Sequence, residues 1–261
     1  MRTSTNSPDT PAVDFAVQIR ERFLKDLRDN QFLLYYQSIV SLQNDPTLYR
    51  EILVRFREEE EGMMPPGTFI PTLEMHGLMP LLDRWVVATV LRWVRATQAA
   101  VGSKVAPRCS VNLADDTIRD PDFPEYVQLA ARRIDAPLES LSFEIPAEHA
   151  LTDPESVARL VYPLRRAGCT FALSGFAGPA RLELAQTLGI AFIKIDGSLV
   201  DRLPRDPQAA QEIQALHRRA TDLGMRTVCM RVESDKTLEA LRQIQVDYVQ
   251  GFGIDRPRVL K

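Results

Sequence analysis

The chain has 261 residues, of which 45% are hydrophobic, enough for the core of one large domain or two small ones. A formal net charge of -3 gives no electrostatic reason to expect a nucleic acid or an anionic membrane as the main partner. The most apolar stretch, residues 78–94, is interrupted by three charged side chains, so we expect no membrane-spanning helix.

Residues 1–11 are polar and contain Ser, Thr, Asn and Pro, which predicts a disordered lead or linker and not a secretory signal. Residues 12–261 are predicted to form one domain, because no linker or shift in composition divides them. Three cysteines, Cys109, Cys169 and Cys229, lack metal-site spacing and lie in apolar stretches. We expect them to be reduced, buried thiols of a cytoplasmic protein.

In chain order, the pattern begins with a helix from Asp14 to about Asn30, whose apolar residues recur at helical spacing. Short β-rich runs follow, most of them separated by helical patterns. The predicted strands are residues 33–42, 49–56, 110–114, 141–146, 170–176, 192–196, 227–232 and 248–254. Eight strands alternating with helices over about 250 residues predict an α/β fold, a TIM-like (β/α)8 barrel. The acidic run at 58–61 is predicted to lie in a loop and to be solvated.

In such a barrel, functional residues lie where the strands end. The polar or otherwise notable residues that close the predicted strands are Glu51, Arg55, Asn112, Glu144, Ser174, Gly175, Lys194, Asp196, Met230, Glu233 and Gln250. Converging carboxylates and an amide would make an oxygen-rich cation site, and basic residues would attract phosphate. Taken singly, the glutamates are more often solvated strand ends, Lys194 a surface lysine and Asn112 a turn former. Only convergence favours a site, because buried polar groups are costly unless they contact one another or a ligand.

Several short blocks of the sequence resemble the EAL-domain family, in order from about Asp14 to Pro257. They are Tyr36-Gln37, Glu51-Ile52-Leu53-Val54-Arg55, residues 66–74 (PGTFIPTLE), Val111-Asn112-Leu113, Phe143-Glu144-Ile145, Lys194-Ile195-Asp196 and Gln250-Gly251-Phe252. The resemblance implies a TIM-like barrel with one antiparallel strand. It also implies a chemistry, because active members of that family hydrolyse the bacterial second messenger cyclic di-GMP with Mg²⁺ or Mn²⁺.

The chain keeps three positions that resemble metal ligands of the family, Glu51, Asn112 and Glu144. It departs from active members at three others. Ser174 and Gly175 stand where active members have an adjacent Asp-Asp pair, and Met230 stands where they have a glutamate. Hydrolysis with two metal ions needs carboxylates that hold and bridge the cations, which Ser, Gly and Met cannot do. We therefore expect a degenerate member without phosphodiesterase activity, in which Mg²⁺ binds weakly at most.

The positions that resemble the family's nucleotide-binding site are largely kept, so the resemblance implies a catalytically inactive receptor for cyclic di-GMP. They are Gln37, Glu51, Leu53, Arg55, Pro71, Asn112, Glu144, Lys194, Gln250, Phe252, Arg256 and Pro257. Two alternatives stay open: a protein-protein interaction module that binds no nucleotide, and a weak phosphodiesterase. An unidentified protein partner would receive the signal. The family often pairs through helices after strands five and six, which assigns a homodimer contact to residues 179–188.

Overall fold

The computed structural model describes residues 10–61, 67–101, 107–176 and 182–261. Parts of three sequence predictions lie outside these ranges: the lead up to residue 9, Pro66 of the PGTFIPTLE block, and the start of the 179–188 segment. Within the four ranges, the structure contains no helix with the length and apolar character that a membrane span requires.

A closed sheet forms the centre of the described chain. Its strands are β1 Phe32–Ser41, β2 Tyr49–Phe56, β3 Arg108–Asn112, β4 Leu141–Pro146, β5 Thr170–Phe176, β6 Phe192–Ile195, β7 Arg226–Cys229, β8 Tyr248–Val249 and β9 Arg258–Val259. Strands β2 to β8 pair in parallel with their neighbours in chain order, and β1 closes the barrel by antiparallel pairing with β2 and β8. The predicted α/β barrel with one antiparallel barrel strand is confirmed. The sequence pattern misses β9, because two residues show no alternation; it pairs with Tyr35 and Tyr36 of β1.

Helices surround the barrel. They are α1 Thr10–Arg28, α2 Arg57–Glu60, α3 Phe69–Met75, α4 Met79–Val101, α5 Asp115–Arg119, α6 Phe123–Ile134, α7 Ala147–Thr152, α8 Pro154–Arg166, α9 Leu182–Leu188, α10 Gly197–Arg202, α11 Pro207–Asp222 and α12 Asp235–Ile244. The first helix begins at Thr10, inside the segment predicted as a lead. The main apolar core lies between these helices and the strands, and the three cysteines are buried and unpaired.

The acidic run was predicted to lie in a loop and to be solvated. The loop is wrong, because the run is helical, whereas none of its glutamates is buried. Three of its glutamates belong to helix α2, and the fourth, Glu61, is the C-terminal cap of that helix. Acidic side chains in a first turn are favourable because they face the positive end of the helix dipole. Arg57 and Glu61 also form an ion pair across one turn, with 3.7 Å between Nη1 and Oε1.

The barrel interior has an apolar layer below a polar layer. The lower layer contains three aromatic residues near the N-terminal ends of their strands, Tyr49, Phe192 and Tyr248, with ring centroids 5.2, 5.4 and 5.8 Å apart. Side chains two positions apart on a strand face the same side. The residues two positions after these aromatics therefore form the next layer, which consists of Glu51, Lys194 and Gln250.

Strands β7 and β8 end earlier than predicted because the chain turns at the mouth of the barrel. Arg231 has a φ of 58°, in the left-handed region, which ends an extended strand. The Val232 N–H then donates to the Gln250 carbonyl and the Gly253 N–H donates to the Val232 carbonyl, both at 2.9 Å. The segments after β7 and β8 therefore hold each other in place.

A substitution at Gly251 would test this close packing. A Cβ at residue 251 would lie 2.2 Å from the backbone nitrogen and oxygen of Val232. Since backbone atoms cannot rotate aside, we expect Gly251→Ala to lower the free energy of unfolding by about 3 kcal/mol in chemical denaturation. Gly224→Ala is the comparison, because its Cβ would meet nothing within 4 Å and only its φ of 77° is strained. That variant should lose about 1 kcal/mol; an equal loss at both positions would contradict the close approach.

Candidate functional site

Lys194 joins two glutamates inside the barrel. Its Nζ lies 2.8 Å from Oε2 of Glu51 and 2.5 Å from Oε2 of Glu144. The lysine is 1% exposed and each glutamate is 6% exposed. The three side chains come from β6, β2 and β4, so the convergence expected from strand ends is present. Lys194 is not a surface lysine, and neither glutamate is a solvated strand end.

Neutral donors complete the cluster. The Asn112 Nδ2 donates to Oε1 of Glu51 at 3.0 Å, and the Gln250 Nε2 donates to Oε2 of Glu51 at 2.8 Å. The Ser174 hydroxyl lies on the Glu144 side of the cluster and favours its charged form by lowering the pKa of that carboxyl. Because buried carboxylates are expensive without donors, these contacts account for the stability of the charges in the interior.

The protonation of the cluster follows from burial and the shared ammonium. Burial raises the pKa of Glu144 above its ordinary value, opposed by Lys194 and assisted by the charge of Glu51. Burial acts in the same direction on Glu51, but Lys194 and the hydrogen bonds bring its pKa below the ordinary value. Burial would lower the pKa of Lys194, yet the two carboxylates raise it. Lys194 is therefore charged, and Glu144 is the carboxylate that takes up a proton first.

The three changed positions lie around this cluster with different surroundings. Ser174 is half-buried and contacts Glu144, whereas Gly175 is exposed and has a φ of 82°. Met230 is half-buried and packs against the lower apolar layer that includes Phe192 and Tyr248. The thioether therefore extends the apolar interior upward, at the position where active relatives are expected to carry a carboxylate.

The described residues contain no group of three or more His, Cys, Asp or Glu side chains that could hold a metal ion. Oxygens of Glu51 and Glu144 face the Lys194 ammonium instead of an open space between carboxylates. A pair of divalent cations needs several carboxylate oxygens that hold and bridge the ions. The donor set fits one buried ammonium and does not fit two metal ions.

The end of β2 carries two further predicted residues toward the mouth of the barrel. Leu53 and Arg55 follow Glu51 at every second position, so all three face the same side of the strand. Arg55 is half-exposed, its guanidinium lies 6.0 Å from the centre of the Tyr35 ring, and its Nε is 3.5 Å from Oε1 of Glu60. The structure thus places a cation directly above the buried cluster along one strand.

The turn after β8 carries the other exposed groups. Phe252 is 57% exposed, and the Arg256 guanidinium lies 5.9 Å from the centre of its ring. Arg256 is exposed and Pro257 is half-buried. This turn therefore presents an aromatic face and a cation side by side.

Gln37 and Asp255 hold this turn against β1. The Gln37 Oε1 accepts a hydrogen bond from Gln250 at 3.0 Å, and its Nε2 donates to the Asp255 carbonyl at 2.8 Å. The Asp255 carboxylate accepts hydrogen bonds from Ser38 at 2.6 Å and Arg258 at 2.7 Å. Gln37 is buried and links the cluster to the turn. The sequence gives no signal for Asp255, because Ser38 lies 217 residues away.

Three residues from the sequence analysis lie outside the cluster. Asp196 is the N-cap of α10, and its Oδ1 accepts a hydrogen bond from the Ser198 N–H at 2.8 Å. Glu233 is exposed after β7. Pro71 is exposed on α3, the helix that follows α2.

Comparison with known proteins gives one curated relative and two solved structures of note. The chain is 27% identical over 248 residues to the cyclic di-GMP phosphodiesterase PdeF of Escherichia coli strain K12, covering 94% of this chain and 32% of that protein. The chain therefore spans about a third or less of the length of curated relatives such as PdeF.

The fold is similar to the crystal structure of the FimX EAL domain, with a TM-score of 0.84, 25% identity, and coverage of 93% of this chain and 95% of that chain. It is also similar to the FimX EAL domain from Pseudomonas aeruginosa bound to c-di-GMP, with a TM-score of 0.80, 25% identity, and coverage of 94% and 97%. The EAL domain family model matches residues 20–257, and the chain therefore belongs to the EAL domain family.

Proposed function

We propose that this chain is a receptor domain for cyclic di-GMP that lacks phosphodiesterase activity. The observation that carries the proposal is the set of side chains around Glu51 and Glu144, where Ser174, Gly175 and Met230 supply no carboxylate. The Lys194 ammonium between the two glutamates supplies neither a bound hydroxide nor a Lewis acid. Ser174 and Met230 beside the cluster add no carboxylate that would replace these functions.

The exposed groups at the mouth support nucleotide binding. Arg55 and Arg256 are guanidinium groups that suit phosphate oxygens, and Phe252 is an exposed aromatic face on which a guanine base can stack. The similar FimX EAL domain is described as bound to c-di-GMP, whereas the relative PdeF is named a phosphodiesterase. The chain keeps arginines that can bind phosphate but has lost carboxylates that active members use for hydrolysis. This combination favours binding without turnover.

We place this receptor in the cytoplasm, because free buried cysteines suit a reducing compartment. Its role there would be to transmit cyclic di-GMP levels to a protein partner. The described surface includes α9, which contains most of the 179–188 segment proposed for a homodimer.

Absence of turnover is the first prediction. Incubation of the chain with cyclic di-GMP and excess Mg²⁺ or Mn²⁺ should yield no linear dinucleotide above a protein-free control, measured by chromatography. An active EAL-domain phosphodiesterase in the same assay serves as the positive control. Loss of one transition-state contact commonly costs about 10²-fold in rate, and three carboxylates are replaced together. Multiple turnovers by this chain would contradict the proposal.

Binding should also be independent of metal. The carboxylates of the cluster already contact Lys194, so we expect the Kd for cyclic di-GMP to be similar in EDTA and in millimolar Mg²⁺, measured by isothermal titration. A drop in affinity of more than about tenfold on chelation, equivalent to about 1.4 kcal/mol, would show that a metal ion belongs to the site.

Arg55 is the residue whose loss should weaken binding most. Removal of one charge-assisted contact in Arg55→Ala should raise the Kd for cyclic di-GMP by about 10- to 150-fold, while the circular dichroism spectrum stays unchanged. Gln37→Ala should weaken binding less, because its amide contacts other protein groups.

Arg242→Ala is the matched control for Arg55, since Arg242 is an exposed arginine on the remote helix α12. We expect it to leave the Kd unchanged. If the unaltered chain shows neither heat nor a thermal shift with millimolar cyclic di-GMP, the receptor proposal fails.

A further inference from the structure

Helix α2 is a single turn without apolar anchors. None of its four residues, Arg57 to Glu60, is buried. Helices in proteins gain most of their stability from the packing of an apolar face, which this turn lacks. Apart from its direct continuation from β2, polar contacts must therefore determine where α2 lies.

Three consecutive glutamates of α2 contact three different segments. Glu58 pairs with Arg22 of α1, Glu59 contacts the start of α3, and Glu60 pairs with Arg55 at the end of β2. The run therefore connects the N-terminal helix, the next helix and a residue of the mouth.

Glu59 provides acceptors for the first turn of α3. Its Oε1 accepts hydrogen bonds from the N–H of Thr68 at 2.7 Å and the N–H of Phe69 at 3.0 Å. The first N–H groups of a helix have no acceptor within that helix, so a carboxylate there satisfies them and is favoured by the helix dipole. Glu59 thus fixes the beginning of the helix that presents Pro71.

Arg22 anchors the other side of α2. Its Nη2 donates to both oxygens of Glu58 at 3.0 Å. The neighbouring Phe23 is buried, and its ring meets Phe32 of β1 edge-to-face with centroids 5.5 Å apart. Apolar packing holds α1 to the barrel and so fixes the backbone at Arg22. The ion pair between Arg22 and Glu58 can therefore orient helix α2.

We infer that Arg22, Glu58 and Glu59 are positioning residues that fix α2, and with it both the start of α3 and the Glu60 partner of Arg55. The consequence for affinity rests on the proposed function, in which Arg55 contacts the nucleotide. A displaced α2 would change the ion pair between Glu60 and Arg55. It would also leave the first N–H groups of α3 without the Glu59 acceptor, although Phe69 still anchors that helix in the core. Cyclic di-GMP would then have to order these segments on binding, which lowers affinity.

The experiment measures two properties of each variant: amide hydrogen exchange at Thr68 and Phe69 by NMR without ligand, and the Kd for cyclic di-GMP by titration. Glu59→Ala should speed exchange of both amides by about tenfold or more and raise the Kd by about five- to tenfold. Glu59→Gln keeps an acceptor oxygen and should retain part of both properties. Glu239→Ala is the matched control, an exposed glutamate on the remote helix α12, and we expect no change in either property.

The remote anchor is tested by charge exchange. Arg22→Glu should speed exchange at Thr68 and Phe69 although it does not contact them, and Arg22→Glu combined with Glu58→Arg should restore protection and affinity. Unchanged exchange in Arg22→Glu, or no recovery in the double variant, would overturn the inference. So would faster exchange without any change in Kd in a chain that binds nucleotide. If the unaltered chain binds none, the proposed function fails, and the exchange data alone decide the positioning role.

Discussion

The buried ion cluster of Lys194, Glu51 and Glu144 is the constraint on which the upper barrel depends. Taking a carboxylate or ammonium out of water costs several kcal/mol per ion, and only close partners offset this. The separations of 2.8 and 2.5 Å between Nζ and the carboxylate oxygens provide those partners. Since the three groups belong to β2, β4 and β6, a one-residue slip in any of these strands would turn its side chain outward and leave a buried charge unpaired.

The polar cluster has a defined floor. Below it, Tyr49, Phe192 and Tyr248 fill the barrel with edge-to-face contacts, and Met230 adds a thioether to the same apolar layer. Beside it, Gln250 and Gln37 form hydrogen bonds that connect the cluster to the turn that bears Phe252. Contacts between buried groups therefore connect the ion cluster to an exposed surface. The position of the turn at the mouth of the barrel depends on these contacts.

The sequence predicted the architecture because each of its signals is local. Alternating apolar residues mark the barrel strands, and the polar residue that closes a parallel strand must lie at one rim, which brought Glu51, Glu144 and Lys194 together in advance. The contacts that the sequence pattern missed are those between residues far apart in the chain. The role of Asp255 requires Ser38 from 217 residues away. The glutamates of α2 look solvated in sequence because their partners, Arg22 and the N–H groups of α3, cannot be inferred from charge alone.

The charge balance of the site is the reason why we assign the proposed phosphate contacts to its arginines. With Lys194 charged, the cluster carries one excess negative charge when both glutamates are ionised. In the proposed function, a ligand with two phosphates would gain nothing from such a cluster, so the attraction would come from Arg55 and Arg256. Glu60, 3.5 Å from Arg55, competes for one of these cations. Under that proposal, the position of the single turn α2 would govern how much of the positive charge of Arg55 is available to a phosphate.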